Sequence, residues 1–115
     1  MSGFIAVVNT DGRPLQPELL QRMTTALHSR GPDQQQLWRA GNVGLGHTLF
    51  RTTAEAVYER QPATLDGQVW ITGCIRIDAR AELLDRLGMR RELRLADTPD
   101  SQLVLRAYQA WGEEC

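Results

Sequence analysis

Met1-Ser2-Gly3-Phe4-Ile5-Ala6-Val7-Val8 is the stretch that decides how this chain folds. Its apolar part predicts a short strand that is buried on both faces, and Asp11-Gly12 supplies a turn signal after it. If Met1 is removed, Ser2 becomes an N-terminal residue that carries both a hydroxyl and a free α-amine. An α-amine titrates at about pH 8, so it can act as general base for a neighbouring nucleophile. The alternative is structural, because small residues are common after an initiator methionine.

A helix and a hairpin are predicted after this first strand. Pro17 suits the first turn of a helix that runs to about Ser29, and Gly31-Pro32 ends it. Two further strands, Gln35–Arg39 and Asn42–Phe50, are separated by a short turn and predict an antiparallel hairpin.

The second half of the chain predicts one more strand and two more helices. Gln68–Ile77 reads as the strand, and Asp78 is a suitable N-cap for a helix that Gly88 ends. Thr98-Pro99 is expected to cap the last helix. Short links between strands favour antiparallel pairing with helices layered on the sheet, so the fold class predicted is α+β. With about four strands for three helices, the sheet looks unfinished.

Composition limits the classes of function. The 115 residues are 42% apolar, enough for one domain, and 13 basic residues nearly balance 14 acidic ones. No basic stripe supports nucleic-acid binding, and no apolar stretch approaches the roughly 18 residues of a membrane span. A cytoplasmic protein is therefore expected. Cys74 and Cys115 lie in no metal-ligand spacing, so no metal site is predicted, and the simplest interpretation of Cys74 is a small buried hydrophobic residue.

Several short motifs occur in a particular order along the chain. They are Met1-Ser2-Gly3, Arg30-Gly31-Pro32-Asp33, Leu45-Gly46-His47, Gln61-Pro62, and Asp100 leading into Leu105–Cys115. Together they resemble the class II glutamine amidotransferase domain of asparagine synthetase-like proteins, a group that includes the lasso-peptide cyclase and β-lactam synthetase relatives. The resemblance implies an N-terminal-nucleophile hydrolase sandwich, with two antiparallel sheets between helical layers. Residues 1–115 look like the first half of that domain.

The resemblance also implies where a catalytic site would lie. It places the family's cysteine nucleophile at Ser2, and its oxyanion-hole Asn-Gly pair at Thr72-Gly73. Gly73 can still offer its backbone N–H there, whereas Thr72 lacks an amide donor of the same reach and is more simply interpreted as an ordinary β-branched strand residue. The family's carboxylate-binding arginine falls at Leu49. Arg51, two residues further on and hence on the same strand face, is the candidate substitute, and the alternative interpretation is a solvated surface arginine.

Three further positions complete this comparison. Cys74 stands where the family has a glutamate that helps to hold glutamine. Asp100 matches the aspartate that receives the substrate amine, although an acid in the first turn of a helix also has a structural explanation. His28 and His47 are expected to be structural or exposed, because the family's base is the α-amine.

Three functions remain open from the sequence. The first is a degenerate amidotransferase domain that has lost glutaminase activity and serves structure or recognition. The second is an active glutamine-hydrolysing enzyme of asparagine synthase type, or a Ser-dependent amidohydrolase. The third is a truncated interaction module without catalysis, whose exposed sheet edge would invite pairing.

The family's partner and cofactors are expected outside residues 1–115. The resemblance implies an ATP-dependent synthetase domain or subunit as partner, recognised by a Ser-Gly-Gly-type phosphate loop that this sequence lacks. No cofactor is expected in this segment, and ATP and Mg²⁺ are implied only for that synthetase domain. The substrate would be glutamine or a peptide or amino acid, with neither nucleic acid nor membrane involved.

Overall fold

The computed structural model describes residues 1–115, which divide into two units. The first unit comprises Met1–Arg51, Arg60–Pro62 and Thr72–Cys74. The second comprises Thr52–Glu59, Ala63–Ile71 and Ile75–Cys115. Each unit combines helices with antiparallel strands, which confirms the α+β class.

The first unit is built on a three-stranded antiparallel sheet. Its strands are β1 (Gly3–Val8), β2 (Gln34–Ala40) and β3 (Val43–Leu49), in the order β1-β3-β2. The predicted hairpin is confirmed as β2 and β3, with Ala40 opposite Val43. In the β1–β3 pair, Gly3 lies opposite Thr48, which brings the start of β1 to the end of β3.

One helix, α1 (Pro17–Thr25), covers one face of this sheet. The helix approaches the central strand closely because β3 carries glycine at two positions beneath it. A Cβ at Gly44 would overlap the Leu15 side chain, and a Cβ at Gly46 would overlap that of Thr24. Leu15, Leu20 and Thr24 are fully buried in this layer.

Two predictions for the first unit are wrong in detail. The first strand is not buried on both faces, because Phe4 and Val8 on the face away from α1 are about half exposed. The first helix ends at Thr25, and His28–Arg30 forms a separate 3₁₀ turn instead of its last turn.

The second unit contains a two-stranded ribbon and two α-helices. Strands β4 (Ala63–Thr64) and β5 (Trp70–Ile71) pair antiparallel. Helix α2 (Arg80–Leu87) packs against α3 (Asp100–Trp111), with Leu84, Leu103 and Leu105 buried. This unit also contains three short 3₁₀ turns, at Glu55–Tyr58, Leu95–Asp97 and Gly112–Glu114.

The strand predicted over Gln68–Ile77 is wrong apart from Trp70–Ile71. The Asp66 carboxylate accepts the backbone N–H groups of Gln68 and Val69, at 2.9 and 3.0 Å. It therefore holds residues 66–69 in a turn that ends where β5 begins. These hydrogen bonds also lower the pKa of Asp66.

The helix boundaries of this unit agree in part with the sequence. Asp78 is not the N-cap of α2: Ala79 occupies that position, while Asp78 pairs with Arg76 at 2.8 Å. Gly88 does end α2, in the left-handed conformation that glycine adopts readily. None of these helices is both long and apolar enough to cross a membrane.

Candidate active site

Ser2 is held at the junction between β1 and the end of β3. Its Oγ accepts the backbone N–H of Phe50 at 2.9 Å, and its carbonyl oxygen accepts a hydrogen bond from the Cys74 thiol at 2.7 Å. The next residue, Gly3, donates its N–H to the buried Thr48 hydroxyl at 3.2 Å. The side chain of Ser2 is therefore fixed by the residue that follows β3.

Leu49, at the position of the implied carboxylate clamp, is part of the core. It is 5% exposed, and its carbonyl accepts the N–H of Asp33 at 3.0 Å. A leucine offers no donor to a substrate carboxylate, whereas a bidentate arginine offers two. The structure therefore places an apolar side chain at this position.

Arg51 does not share a strand face with Leu49. Strand β3 ends at Leu49, so the period-two argument does not extend to Arg51, which is exposed. Its backbone N–H donates to Asp33 Oδ2 at 2.8 Å. Asp33 thereby fixes the segment whose Phe50 N–H reaches Ser2.

The segment Thr72–Cys74 lies in the same unit as Ser2, and its donor groups are bonded within the chain. The Thr72 hydroxyl donates to the Gly46 carbonyl at 3.3 Å, and the Gly73 N–H donates to Gln61 Oε1 at 2.7 Å. Cys74 is exposed, so the expectation of a small buried hydrophobic residue is wrong; its thiol instead reaches the Ser2 carbonyl. The structure thus brings Ser2, Thr72, Gly73 and Cys74 into one unit, in which Cys74 contacts Ser2 directly while Thr72 and Gly73 are bonded to Gly46 and Gln61.

His47 is a buried neutral group on the sheet beside this segment. It is 2% exposed, and the loss of hydration lowers the pKa of the imidazole below its usual 6.5, although a backbone hydrogen bond with Gly73 opposes the shift. Its Nε2 has no hydrogen-bond partner. The other histidine, His28, is exposed. A buried histidine tied to Gly73 agrees with the structural role expected for His47.

Asp100 belongs to the second unit and is bound there by a neighbouring cation. Its carboxylate pairs with Arg80 and accepts the N–H of Ile77 at 3.2 Å. Arg80 also donates to the carbonyls of Leu95 and Thr98, at 2.7 and 2.6 Å. Asp100 is the first residue of α3, as the structural explanation of an acid in the first helical turn expects. The ion pair with Arg80 is a second structural role of this carboxylate.

Gln61 is the residue of this site whose role the sequence did not reveal. It is 4% exposed, and its side chain reaches a backbone group 12 positions further along the chain. Gln61-Pro62 stood out as a motif, but no periodicity or spacing linked it to Gly73. Only the tertiary structure shows that contact.

Comparisons with known proteins show the family to which the chain is related. A family model described as a glutamine amidotransferase domain matches residues 1–115. The chain is 30% identical over 105 residues to asparagine synthetase [glutamine-hydrolyzing] 3 of Bacillus subtilis (strain 168). That match covers 85% of this chain and only 16% of the relative. No solved structure matches the chain.

Proposed function

Because the chain belongs to the glutamine amidotransferase domain family, we propose that it is a degenerate member whose glutaminase activity has been lost. Its remaining role is structural or recognitional, in support of an ATP-dependent amide-forming partner. The fold proposed for the complete domain is the N-terminal-nucleophile hydrolase sandwich.

The observation that carries this proposal is the burial of Leu49. A substrate glutamine has an α-carboxylate, and a charged group next to an apolar, desolvated side chain is unfavourable unless a cation pairs with it. Leu49 supplies no cation, and Arg51 is exposed beyond the end of β3. Glutamine would therefore lack the clamp that fixes it against the nucleophile.

The hydroxyl of Ser2 weakens the chemistry further. An alcohol is harder to activate than a thiol, and it needs an adjacent base. Ser2 Oγ accepts the Phe50 N–H, which makes the lone pairs of the oxygen less available for attack. An oxyanion donor also matters, because the loss of one costs roughly 10²–10³ in rate. Thr72 directs its hydroxyl to Gly46 and so contributes no such donor.

The partner is proposed from the relative's printed name. That relative is an asparagine synthetase, and this chain spans 16% of its length. We place the amide-forming step in a synthetase domain or subunit, which would bind ATP and Mg²⁺. The acceptor would be an amino acid or a peptide that supplies its own amine.

An ammonia-release assay with glutamine tests the loss of activity. Wild type, Ser2→Cys and Ser29→Cys, each freed of Met1, would be compared; Ser29 is an exposed serine in the same unit, so the last variant controls for an added thiol. We expect no turnover from any of the three, since Ser2→Cys restores the nucleophile but leaves Leu49 in place. Glutamine hydrolysis by Ser2→Cys alone would show that the remaining site is competent.

Intact-mass measurement tests the alternative of a Ser-dependent amidohydrolase. That mechanism needs a free α-amine on Ser2, so Met1 must be absent from the mature chain. Retention of Met1 excludes it. Removal of Met1 together with ammonia release by the wild type would favour it over the degenerate domain.

A further inference from the structure

A shallow groove of about 210 Å³ lies in the second unit, between the β4–β5 turn and helix α3. It opens to solvent, and its lining residues are Leu65, Asp66, Val69, Leu105, Tyr108 and Gln109. Pockets that bury a whole small molecule are larger, roughly 300–1,000 Å³. This groove therefore has room for one side chain of a larger partner and not for a free ligand of ordinary size.

The Asp66 carboxylate stands at this groove with one oxygen occupied and the other free. Its Oδ1 accepts the N–H groups of Gln68 and Val69 and also the Thr64 hydroxyl, the last at 3.4 Å. The chain donates no hydrogen bond to Oδ2, and none of its ion pairs includes Asp66. The N–H groups of Val69 and Gln68 lower the pKa of this carboxyl, so it is charged at neutral pH. A cation from outside the chain can therefore pair with Oδ2 without displacing an internal bond.

The turn that carries Asp66 is fixed by further hydrogen bonds of its own. Gly67 donates its N–H to the Thr64 hydroxyl at 2.8 Å, and Trp70 Nε1 donates to the Gly67 carbonyl at 3.2 Å. Gly67 adopts a φ of 77°, a conformation that glycine reaches without steric cost. A carboxylate on such a turn binds a cation at a lower entropic cost than a carboxylate on a mobile loop.

The rest of the groove is mainly apolar and includes one aromatic ring. Leu105 and Tyr108 are three residues apart on α3 and so lie on the same face of the helix. Val69 and Tyr108 are 39% and 40% exposed, so both present surface to a partner. Apolar surface beside a carboxylate favours a side chain with a long apolar stem and a cationic end. Arginine fits better than lysine, because its planar guanidinium is weakly hydrated and stacks on aromatic rings.

We propose that this groove docks an arginine side chain that an exposed segment of a partner protein presents. The aliphatic stem packs on Leu65 and Val69. The guanidinium pairs with Asp66 Oδ2 and covers the ring of Tyr108. The groove shares no residue with the candidate active site around Ser2, so this inference does not depend on the loss of glutaminase activity.

An NMR titration of the wild-type chain with blocked tripeptides is the first test. The probe is acetyl-Gly-Arg-Gly-amide, and its matched control carries citrulline, which has nearly the same shape and no charge. We expect the arginine peptide to shift the Val69 and Tyr108 amide resonances with a Kd in the millimolar range. It should bind about three- to fivefold more tightly than the citrulline peptide, as an exposed ion pair allows. Equal affinity of the two peptides, or shifts confined to the first unit, would overturn the proposal.

A charge-removing variant is the second test. Asp66→Asn removes the charge and keeps an oxygen that can accept the N–H groups of Gln68 and Val69. The control, Glu82→Gln, neutralises an exposed acid of the same unit outside the groove. Asp66→Asn should bind the arginine peptide no more tightly than the citrulline peptide, and Glu82→Gln should bind it as wild type does. Undiminished binding by folded Asp66→Asn would overturn the proposal, and the wild-type titration decides it if that variant does not fold.

A second copy of this chain is the other source of an arginine side chain. Sedimentation equilibrium of wild type and Asp66→Asn separates the two sources. Monomers in both samples would support a separate partner protein. A wild-type dimer that Asp66→Asn dissociates would overturn the proposal, because the groove would then hold an arginine of the second copy.

Discussion

Each unit contains a cluster of polar groups, around Ser2 in the first unit and around Asp100 in the second. The two clusters differ in the kind of bond that pairs their polar groups. Around Ser2 the groups are neutral: a hydroxyl, a thiol, a carboxamide and backbone N–H groups. Around Asp100 they are charged, since Arg80 pairs with Asp100 and reaches Glu55 at 3.9 Å. The contrast separates neutral hydrogen bonds from largely buried ion pairs, whose disruption is expected to cost more.

The energetic difference follows from burial of charge. A neutral hydrogen bond contributes about 1 kcal/mol, because folding exchanges it for bonds to water. The side chains of Arg80 and Asp100 are only 15% and 14% exposed, so removing Arg80 leaves the Asp100 carboxylate as a buried charge without its cation. Any substrate amine at Asp100 would have to compete with the Arg80 guanidinium.

The largest effect predicted from this contrast is for Arg80→Met. The variant leaves the Asp100 carboxylate unpaired and also deprives the Leu95 and Thr98 carbonyls of a donor. We expect the free energy of unfolding, measured by urea titration, to fall by about 3–5 kcal/mol. The control is Arg76→Met, which breaks an ion pair whose side chains are 85% and 82% exposed. It should cost no more than about 1 kcal/mol. Equal losses in the two variants would remove the distinction between the clusters.

An intermediate effect is predicted for Leu49→Ala. If Leu49 is a core residue and has no role as a ligand, truncation should cost about 2–3 kcal/mol in the same titration. The lower part of the range for buried leucines is expected, because Leu49 is the last residue of β3. Leu37→Ala, on an exposed leucine of the same sheet, is the control and should cost less than about 1 kcal/mol. A loss at Leu49 as small as that of the control would contradict its place in the core.

The smallest effect concerns pH and His47. Burial lowers the pKa of His47 in the folded protein below its usual 6.5, so the unfolded chain binds the proton more tightly. The contribution of His47 to stability is therefore fully present above pH 6.5 and is lost as the pH falls toward the lowered pKa. Wild type should lose more stability than His47→Gln between about pH 7.5 and about pH 5.

His28→Gln, which replaces the exposed histidine of the same unit, should keep the wild-type pH dependence. Parallel curves for wild type and His47→Gln would show that His47 is not buried as a neutral group.

The sequence predicted local features well where one residue pattern decides the structure. The β2–β3 hairpin was predicted from two strand segments that a short turn separates, and Gly88 ends α2 because glycine readily adopts the left-handed conformation found there. The strand predicted over Gln68–Ile77 does not include Gln68 and Val69, because Asp66 captures the two N–H groups that a strand would have used. Side-chain to backbone contacts of this kind compete with regular structure and are weakly encoded in periodicity.

The candidate site was predictable only in part, since most of its contacts join distant segments. The family resemblance located Ser2, Thr72, Gly73 and Asp100, whose roles stay predictions. It could not show that Asp100 is paired with Arg80 or that Gly73 is bonded to Gln61. Partners 20 and 12 residues apart are chosen by the folded chain, and no local pattern records them.

The glutaminase assay on Ser2→Cys, freed of Met1, tests the central claim most directly. It restores the nucleophile that the family uses and asks whether the rest of the site can hold glutamine. We predict that ammonia release stays at the level of the Ser29→Cys control. Sustained release above that control would contradict the account, because it would show that burial of Leu49 does not prevent glutamine from binding productively.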